Sequence, residues 1–246
     1  MFRFRLLFFF LILSQSLPVS ADVIRVAVAS NFVFTFKKIA KEFEQKTGHT
    51  INVSSGSTGK HFAQIINGAP FDLFFAADLK RPKLLEKRGR VIGKGRFTYA
   101  QGKLILWSAK SNLKNIDKVL LDDKLRFVAI ANPKLAPYGY ASKEFLESQD
   151  LWKKLKGRVV FGENIGQTYN FVRSGNARVG FIALSQFKKR NEGSFWRVPE
   201  SFYSSIEQQV VLLSNKKAAL AFLNYFKTTR VKKVISMDGY GVMNAK

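Results

Sequence analysis

The chain has 246 residues, 46% of them hydrophobic, and no cysteine. That length suits one large domain or two smaller ones with a real core, and the missing cysteines exclude disulfides, thiol catalysis and thiolate metal sites. Lys and Arg number 41 against 17 Asp and Glu, a net charge of +24 that attracts anions and polyanions.

The first segment reads as an export signal. A basic start, Met1-Phe2-Arg3-Phe4-Arg5, is followed by an apolar run from Leu6 to Leu13 and by the small residues Val19-Ser20-Ala21. Cleavage is expected after Ala21. The apolar run is too short for a span, which takes about 20 residues, and no cysteine is present for a lipid anchor. Removal of residues 1–21 takes away Arg3 and Arg5 and no acid, so the net charge falls from +24 to +22. The remaining basic residues are spread over nearly every segment, the pattern of a solvated surface.

Val23 to Ala29 is β-branched and apolar, a buried strand. Ser30-Asn31 follows as a turn or helix cap. Val33, Phe36, Ile39, Ala40 and Phe43 recur at helical spacing up to Gly48. Thr50 to Ser54 reads as a second strand, and Gly56-Ser57-Thr58-Gly59 opens a helix that ends at Asn67-Gly68. Phe71 to Ala77 is a third strand, with Asp78 capping a short helix. This alternation implies a parallel sheet. Lys103 to Ser108 is strand-like, and a second set follows: strands at 126–131, 158–161 and 179–184, with helices at 142–149 and 165–173. A strand at 207–213 and helices at 216–226 and 231–236 complete the chain. Two α/β lobes of about 100 residues each suit this pattern. Periodicity leaves open whether the last strand and helices return to the first lobe.

Ligands of open α/β sheets sit beyond the carboxyl ends of the strands, where helix N-termini offer free N–H groups and partial positive charge. Four such junctions carry hydroxyl, amide or glycine residues: Ser30-Asn31, Ser57-Thr58, Tyr138-Gly139-Tyr140 ahead of a helix, and Asn164-Ile165-Gly166. Each taken singly is an ordinary cap. Together they present mainly neutral donors, which suits a fully ionised oxyanion that accepts hydrogen bonds and donates none.

Catalytic readings find little support. His49 and His61 lack metal-pair spacing and are read as surface residues. Asp122-Asp123 is a solvated loop pair. Gly56-Ser57-Thr58-Gly59-Lys60 lacks the first glycine and the hydroxyl after Lys60 that a phosphate loop requires. Arg96-Phe97-Thr98-Tyr99 and Arg126-Phe127 place aromatics beside cations, as a nucleic-acid stacking surface would.

Several segments carry a family resemblance: Gly56 to Lys60, Ala63 to Ile65, Asn67 to Asp78, Ala131 to Gly139, Gly162 to Ile165, Val179 to Ser185, and Pro199-Glu200. They resemble the periplasmic molybdate-binding proteins of ABC transporters, with 68–78 the most specific block. The resemblance implies an α/β type II periplasmic-binding fold with two lobes about a ligand cleft. It divides the chain into residues 22–104 and 207–246 for the first lobe and 105–206 for the second. It further implies a periplasmic, monomeric carrier that is not an enzyme and holds no cofactor or free metal cation. The ligand would be molybdate or tungstate, the partner an ABC permease in the inner membrane, with no specific nucleic acid. Carried over by position, Ser30 donates its hydroxyl and its N–H and Asn31 assists with its backbone. Ser57 and Thr58 lie at the serine-rich turn, Thr58 at the ligand-contacting hydroxyl, while Tyr138 and Ile165 give backbone N–H groups. Where some members place a tyrosine hydroxyl on the ligand, this chain has Ala183. Two other readings remain: a carrier of sulfate or phosphate, and a basic surface protein that binds nucleic acid or anionic lipid.

Overall fold

Strand β1 (Val23–Ala29) is buried from Val26 onward because the sheet flanks it on both edges. The structure is a computed structural model and describes residues 21–241 apart from 111, 114, 189 and 190. The expected export signal, apart from Ala21, lies outside the described residues.

Helix α1 (Val33–Thr47) buries Phe36, Ile39, Ala40 and Phe43 and stops at Gly48, whose φ of 73° suits glycine. Then come β2 (Thr50–Gly56), α2 (Thr58–Ile66), β3 (Leu73–Ala76), α3 (Lys80–Lys87) and β4 (Arg96–Gly102). One residue later the chain enters β5 (Leu104–Ser108), followed by α4 (Ile116–Leu120) and β6 (Val128–Ala131). Helices α5 (Pro137–Ser148) and α6 (Leu151–Lys154) lead to β7 (Val159–Gly162), α7 (Ile165–Arg173), β8 (Val179–Ala183), α8 (Leu184–Lys188) and β9 (Ser194–Arg197). A single 3-10 turn, Glu200–Phe202, precedes β10 (Ile206–Leu212), α9 (Lys217–Phe226) and α10 (Thr229–Met237).

The strands form two five-stranded sheets, in the orders β2-β1-β3-β10-β4 and β7-β6-β8-β5-β9. In the first sheet β1 runs parallel to β2 and β3, and β10 lies antiparallel between β3 and β4. The chain changes sheet twice, between β4 and β5 at Lys103 and between β9 and β10. Lys103 and Glu200 form an ion pair between these two crossings.

Most of the described phenylalanines pack into the cores. Phe32, Phe36, Phe75, Phe222 and Phe226 pack beneath α1, α9 and α10, largely in edge-on or tilted pairs that suit aromatic quadrupoles. The other face of the first sheet is covered by α2 and α3, and the second sheet has its own cores.

Three expectations are corrected. Tyr138-Gly139-Tyr140 belongs to the first turn of α5 instead of preceding it. Pro137 tolerates the first helical position because it has no N–H to leave unpaired there. His61 is buried at 2% exposure, since α2 lays it against Gly56 and the carbonyl of Val28. Arg96 to Tyr99 is no open aromatic platform: it lies in β4, Tyr99 is buried, and the Lys227 ammonium covers the Phe97 ring. The short elements β4, β9, α4, α6 and α8 had no distinct periodicity to announce them. β4 and β9 exist because β10 and β5 pair with them.

Candidate anion-binding cleft

Ser30 and Asn31 occupy the turn that leaves β1, and the N-cap of α1 is Phe32, which caps without its side chain. Neither residue is spent on ending or starting a helix. The Ser30 N–H donates to the Gly56 carbonyl at 2.9 Å, tying the end of β1 to the end of β2. That bond corrects the expected role of Ser30, whose backbone donor is already used inside the sheet. Its hydroxyl oxygen accepts the Gly166 N–H at 3.1 Å, at the start of α7 in the other lobe.

The remaining junctions close a ring. Gly59 N–H donates to the Leu135 carbonyl at 2.9 Å, joining α2 to the loop before α5. Leu135 N–H donates to the Asn132 carbonyl at 3.0 Å, and Asn132 N–H to the Gly162 carbonyl at 2.7 Å. Gly162 lies three residues before α7, whose Gly166 returns to Ser30. Three of the four junctions singled out in the sequence therefore lie on one interlobe circuit, and the fourth, at Tyr138, follows Leu135 of that circuit by three residues.

The donors of this circuit have a common property. Ser30 Oγ accepts from Gly166, Ser57 Oγ accepts from Lys60 N–H at 3.3 Å, and Thr58 Oγ1 accepts from Ala77 N–H at 3.1 Å. None of the three hydroxyls donates to another described residue, so each oxygen is fixed while its proton is available. Among the described residues, nothing accepts the backbone N–H of Asn31, Ser57, Thr58, Tyr138, Gly139 or Ile165. These six residues are buried, and leaving a buried donor unpaired costs about 1–3 kcal/mol. Helix geometry explains the free groups, because the first N–H groups of α2, α5 and α7 have no partner within their helices. Asn164 caps only Gly166 and Gln167, at 2.9 and 3.1 Å, and α5 has no side-chain cap.

The nearby carboxylates are engaged at the rim. Glu163 pairs with Lys60 across the lobes at 2.7 Å. Asp78 holds the Arg81 guanidinium, which donates to the Lys134 carbonyl at 3.0 Å. Outside the circuit lies a groove of about 570 Å³ lined by Ser30, Glu163, Asn170 and Arg173 among others. Another of about 500 Å³ is lined by Asp78, Arg81, Lys134 and Tyr140 among others.

The sequence profile described as bacterial extracellular solute-binding protein matches residues 24–241.

The chain belongs to that family.

Among relatives of this solute-binding protein, the molybdate-binding protein ModA of Azotobacter vinelandii is 44% identical over 229 residues, covering 90% of this chain and 91% of the relative. ModA of Rhodobacter capsulatus is 40% identical over 233 residues, covering 94% and 92%. The solved periplasmic molybdate-binding protein of Azotobacter vinelandii superposes with a TM-score of 0.85 at 39% identity, covering 90% of this chain and 100% of that one. The fold is the expected periplasmic-binding fold with two α/β lobes.

A polar network behind the circuit escaped sequence reasoning. Gln208, fully buried in β10, accepts at Oε1 from Asn31 Nδ2 at 2.9 Å and from the Tyr99 hydroxyl at 3.1 Å. Its Nε2 donates to the Tyr138 hydroxyl at 3.2 Å. The Tyr240 hydroxyl donates to the Asn31 carbonyl at 2.8 Å, and Ser185 Oγ to the same oxygen at 3.4 Å. One amide thus braces a site residue from each lobe. Burial pushes the Tyr138 and Tyr99 hydroxyls well above the usual phenol range, reinforced by neighbouring tyrosines, so they stay protonated. The available signal was Gln208-Gln209 immediately ahead of the apolar run Val210-Val211-Leu212 in one strand. Tyr138 OH sits so close to Gly102 that a Cβ there would lie 2.2 Å from it.

Proposed function

We propose that this solute-binding protein is a periplasmic carrier that captures molybdate or tungstate between its lobes and passes it to an ABC permease. The observation that carries the reading is the set of buried, unpaired N–H groups and oriented hydroxyls facing one interlobe circuit. A dianion with four equivalent oxygens is the acceptor such a donor set lacks, and helix N-termini favour its charge. The names of the two bacterial relatives, each matched over nine-tenths of its length, support molybdate in particular.

In this reading the ligand is held by the hydroxyls of Ser30 and Thr58, with Ser57 beside them, and by backbone N–H groups of Asn31, Thr58, Tyr138 and Ile165. The residue divisions 22–104, 105–206 and 207–246 mark the lobes, supported by the positions at which the chain changes sheet. Selection rests on reach. Molybdate and tungstate are nearly equal in size and larger than sulfate, so donors spaced for them leave some bonds to sulfate unmade, at about 1–3 kcal/mol each. Phosphate keeps a proton near neutral pH and needs an acceptor, which the donor set does not offer. The carrier performs no chemistry on its cargo, needs no cofactor, acts as a monomer and leaves residues 1–21 behind on export.

Calorimetric titration with molybdate, tungstate, sulfate and phosphate tests the reading. Saturable 1:1 binding of molybdate and tungstate at micromolar protein, with sulfate at least a hundredfold weaker, is expected. Preference for sulfate or phosphate assigns another oxyanion to the cleft, and silence toward all four removes the carrier reading. Mass spectrometry of the exported protein reads the cleavage point, and sedimentation reads the oligomeric state.

A further inference from the structure

We infer that the exposed basic face built on α3 docks this protein on an anionic phospholipid bilayer, independently of which ion fills the cleft. Exposed cations without an ion-pair partner occur on several surfaces, Lys153, Lys154 and Lys156 among them, and six of them lie within residues 80–94. Elsewhere some cations meet acids: Lys38 pairs with Asp238, Arg230 with Glu42, Arg178 with Asp122, and Lys216 with Asp72. Across residues 80–94 the balance fails. Lys80, Lys83, Lys87, Arg88, Arg90 and Lys94 are exposed, and none forms an ion pair with an acid among the described residues. The lone acid of the segment, Glu86, is taken by Arg96 at 2.8 Å.

Helix geometry gathers half of these charges on one line. Pro82 and Leu85 are the buried residues of α3. At about 100° per residue, Lys80, Lys83 and Lys87 fall within roughly 60° of one another on the opposite side, along about 10 Å of helix. The helix starts beside the cleft, where Lys80 and Arg81 line the groove with Asp78, and leads away from it. Gly89, at φ 65°, ends the helix and carries the basic run on to Arg90.

The chemistry favours lipid headgroups over nucleic acid. Binding to single strands wants exposed aromatic rings among the cations. Around this face Tyr99 is buried and Phe97 lies under Lys227, 5.1 Å from its ammonium. Lysines are flexible point charges that suit a fluid layer of phosphate groups, and clusters of four to eight cations of this kind attach proteins to anionic membranes. The family is extracellular by description, so a membrane surface is within its reach. A carrier held at that surface searches for a membrane-embedded partner in two dimensions.

The test is sedimentation of the exported protein, its amino terminus checked by mass spectrometry, with vesicles of phosphatidylethanolamine and phosphatidylglycerol or of phosphatidylcholine alone. Binding to the anionic vesicles, weakened by salt and absent with phosphatidylcholine, is expected. Each removed lysine is worth about fivefold in partitioning, so Lys80→Gln, Lys83→Gln and Lys87→Gln together reduce binding at least tenfold. Lys153→Gln, Lys154→Gln and Lys156→Gln remove the same charge from another exposed surface and reduce it less than threefold. Should the first triple fail to fold, the pair Lys83→Gln and Lys87→Gln gives the same reading, again with at least a tenfold loss. Equal losses from the two surfaces, no binding to anionic vesicles, or a single-stranded oligonucleotide displacing the vesicles overturns the inference.

Discussion

The two lobes equip the cleft differently. In the proposed site the first lobe contributes side chains besides the backbone N–H groups of Asn31, Ser57 and Thr58: the hydroxyls of Ser30, Ser57 and Thr58, each with its oxygen pinned by a backbone N–H and its proton available. The second contributes backbone, the first N–H groups of α5 and α7 at Tyr138, Gly139 and Ile165. A side-chain donor can be deleted by one substitution, whereas a backbone donor can only be displaced by moving its helix. Affinity should therefore be removable from the first lobe, at Ser30, without harm to the fold, and hard to remove from the second without it.

The sharpest contrast is Ser30→Ala combined with Thr58→Ala, expected to weaken molybdate at least a hundredfold by calorimetry. A lost hydrogen bond to a charged group is worth about 1.5–3 kcal/mol. The single changes separate two costs. Ser30→Ala leaves Gly166 N–H bonded to Asn164 at 2.9 Å and should lower affinity with an unchanged melting temperature. Thr58→Ala strands the Ala77 N–H and should also lower stability, by about 1–3 kcal/mol.

In the second lobe, Gly139→Ala is the counterpart. A Cβ there would lie 2.1 Å from the Ala131 carbonyl oxygen, so α5 must shift. Affinity and stability should fall together, the latter by about 1–3 kcal/mol in a denaturant titration. Full stability with weak binding would break the comparison between lobes.

Gln208→Leu tests the brace common to both. It removes the partner of Asn31 and Tyr138 at once, and about a tenfold loss of affinity is expected from one misplaced donor in each lobe. Unchanged affinity would make the network purely structural.

Acid should weaken the first lobe through His61, which α2 buries against Gly56 and the Val28 carbonyl. Burial holds the His61 pKa below the ordinary 6.5, outweighing its bonds to Gln64 and Val28. The unfolded chain takes up the proton first, so this contribution is complete above about pH 6.5 and is lost as pH falls through the lowered folded-state value. His61→Gln should flatten the fall in melting temperature between pH 7 and pH 5.

The smallest effect belongs to the rim. Lys60→Gln removes an exposed pair with Glu163 and should change affinity less than threefold, less still in high salt.

Strand and helix alternation up to Ala77 was legible because β1 and β3 are largely apolar runs of strand length, β2 alternates Ile51 and Val53 with polar residues, and a helical period separates β1 from β2. The four junctions were legible because hydroxyl, amide and glycine residues stand where strands end. Local pattern could not reveal that Ser30 spends its N–H on Gly56, that His61 is enclosed, or that Gln208 reaches both Asn31 and Tyr138. Those facts depend on residues that sequence separates by 26, 33, 177 and 70 positions. Sequence by itself determined which groups can donate, since donor chemistry and helix starts are local. Only the tertiary structure decided which donors remain unpaired, because that depends on the partners long-range packing brings to each one.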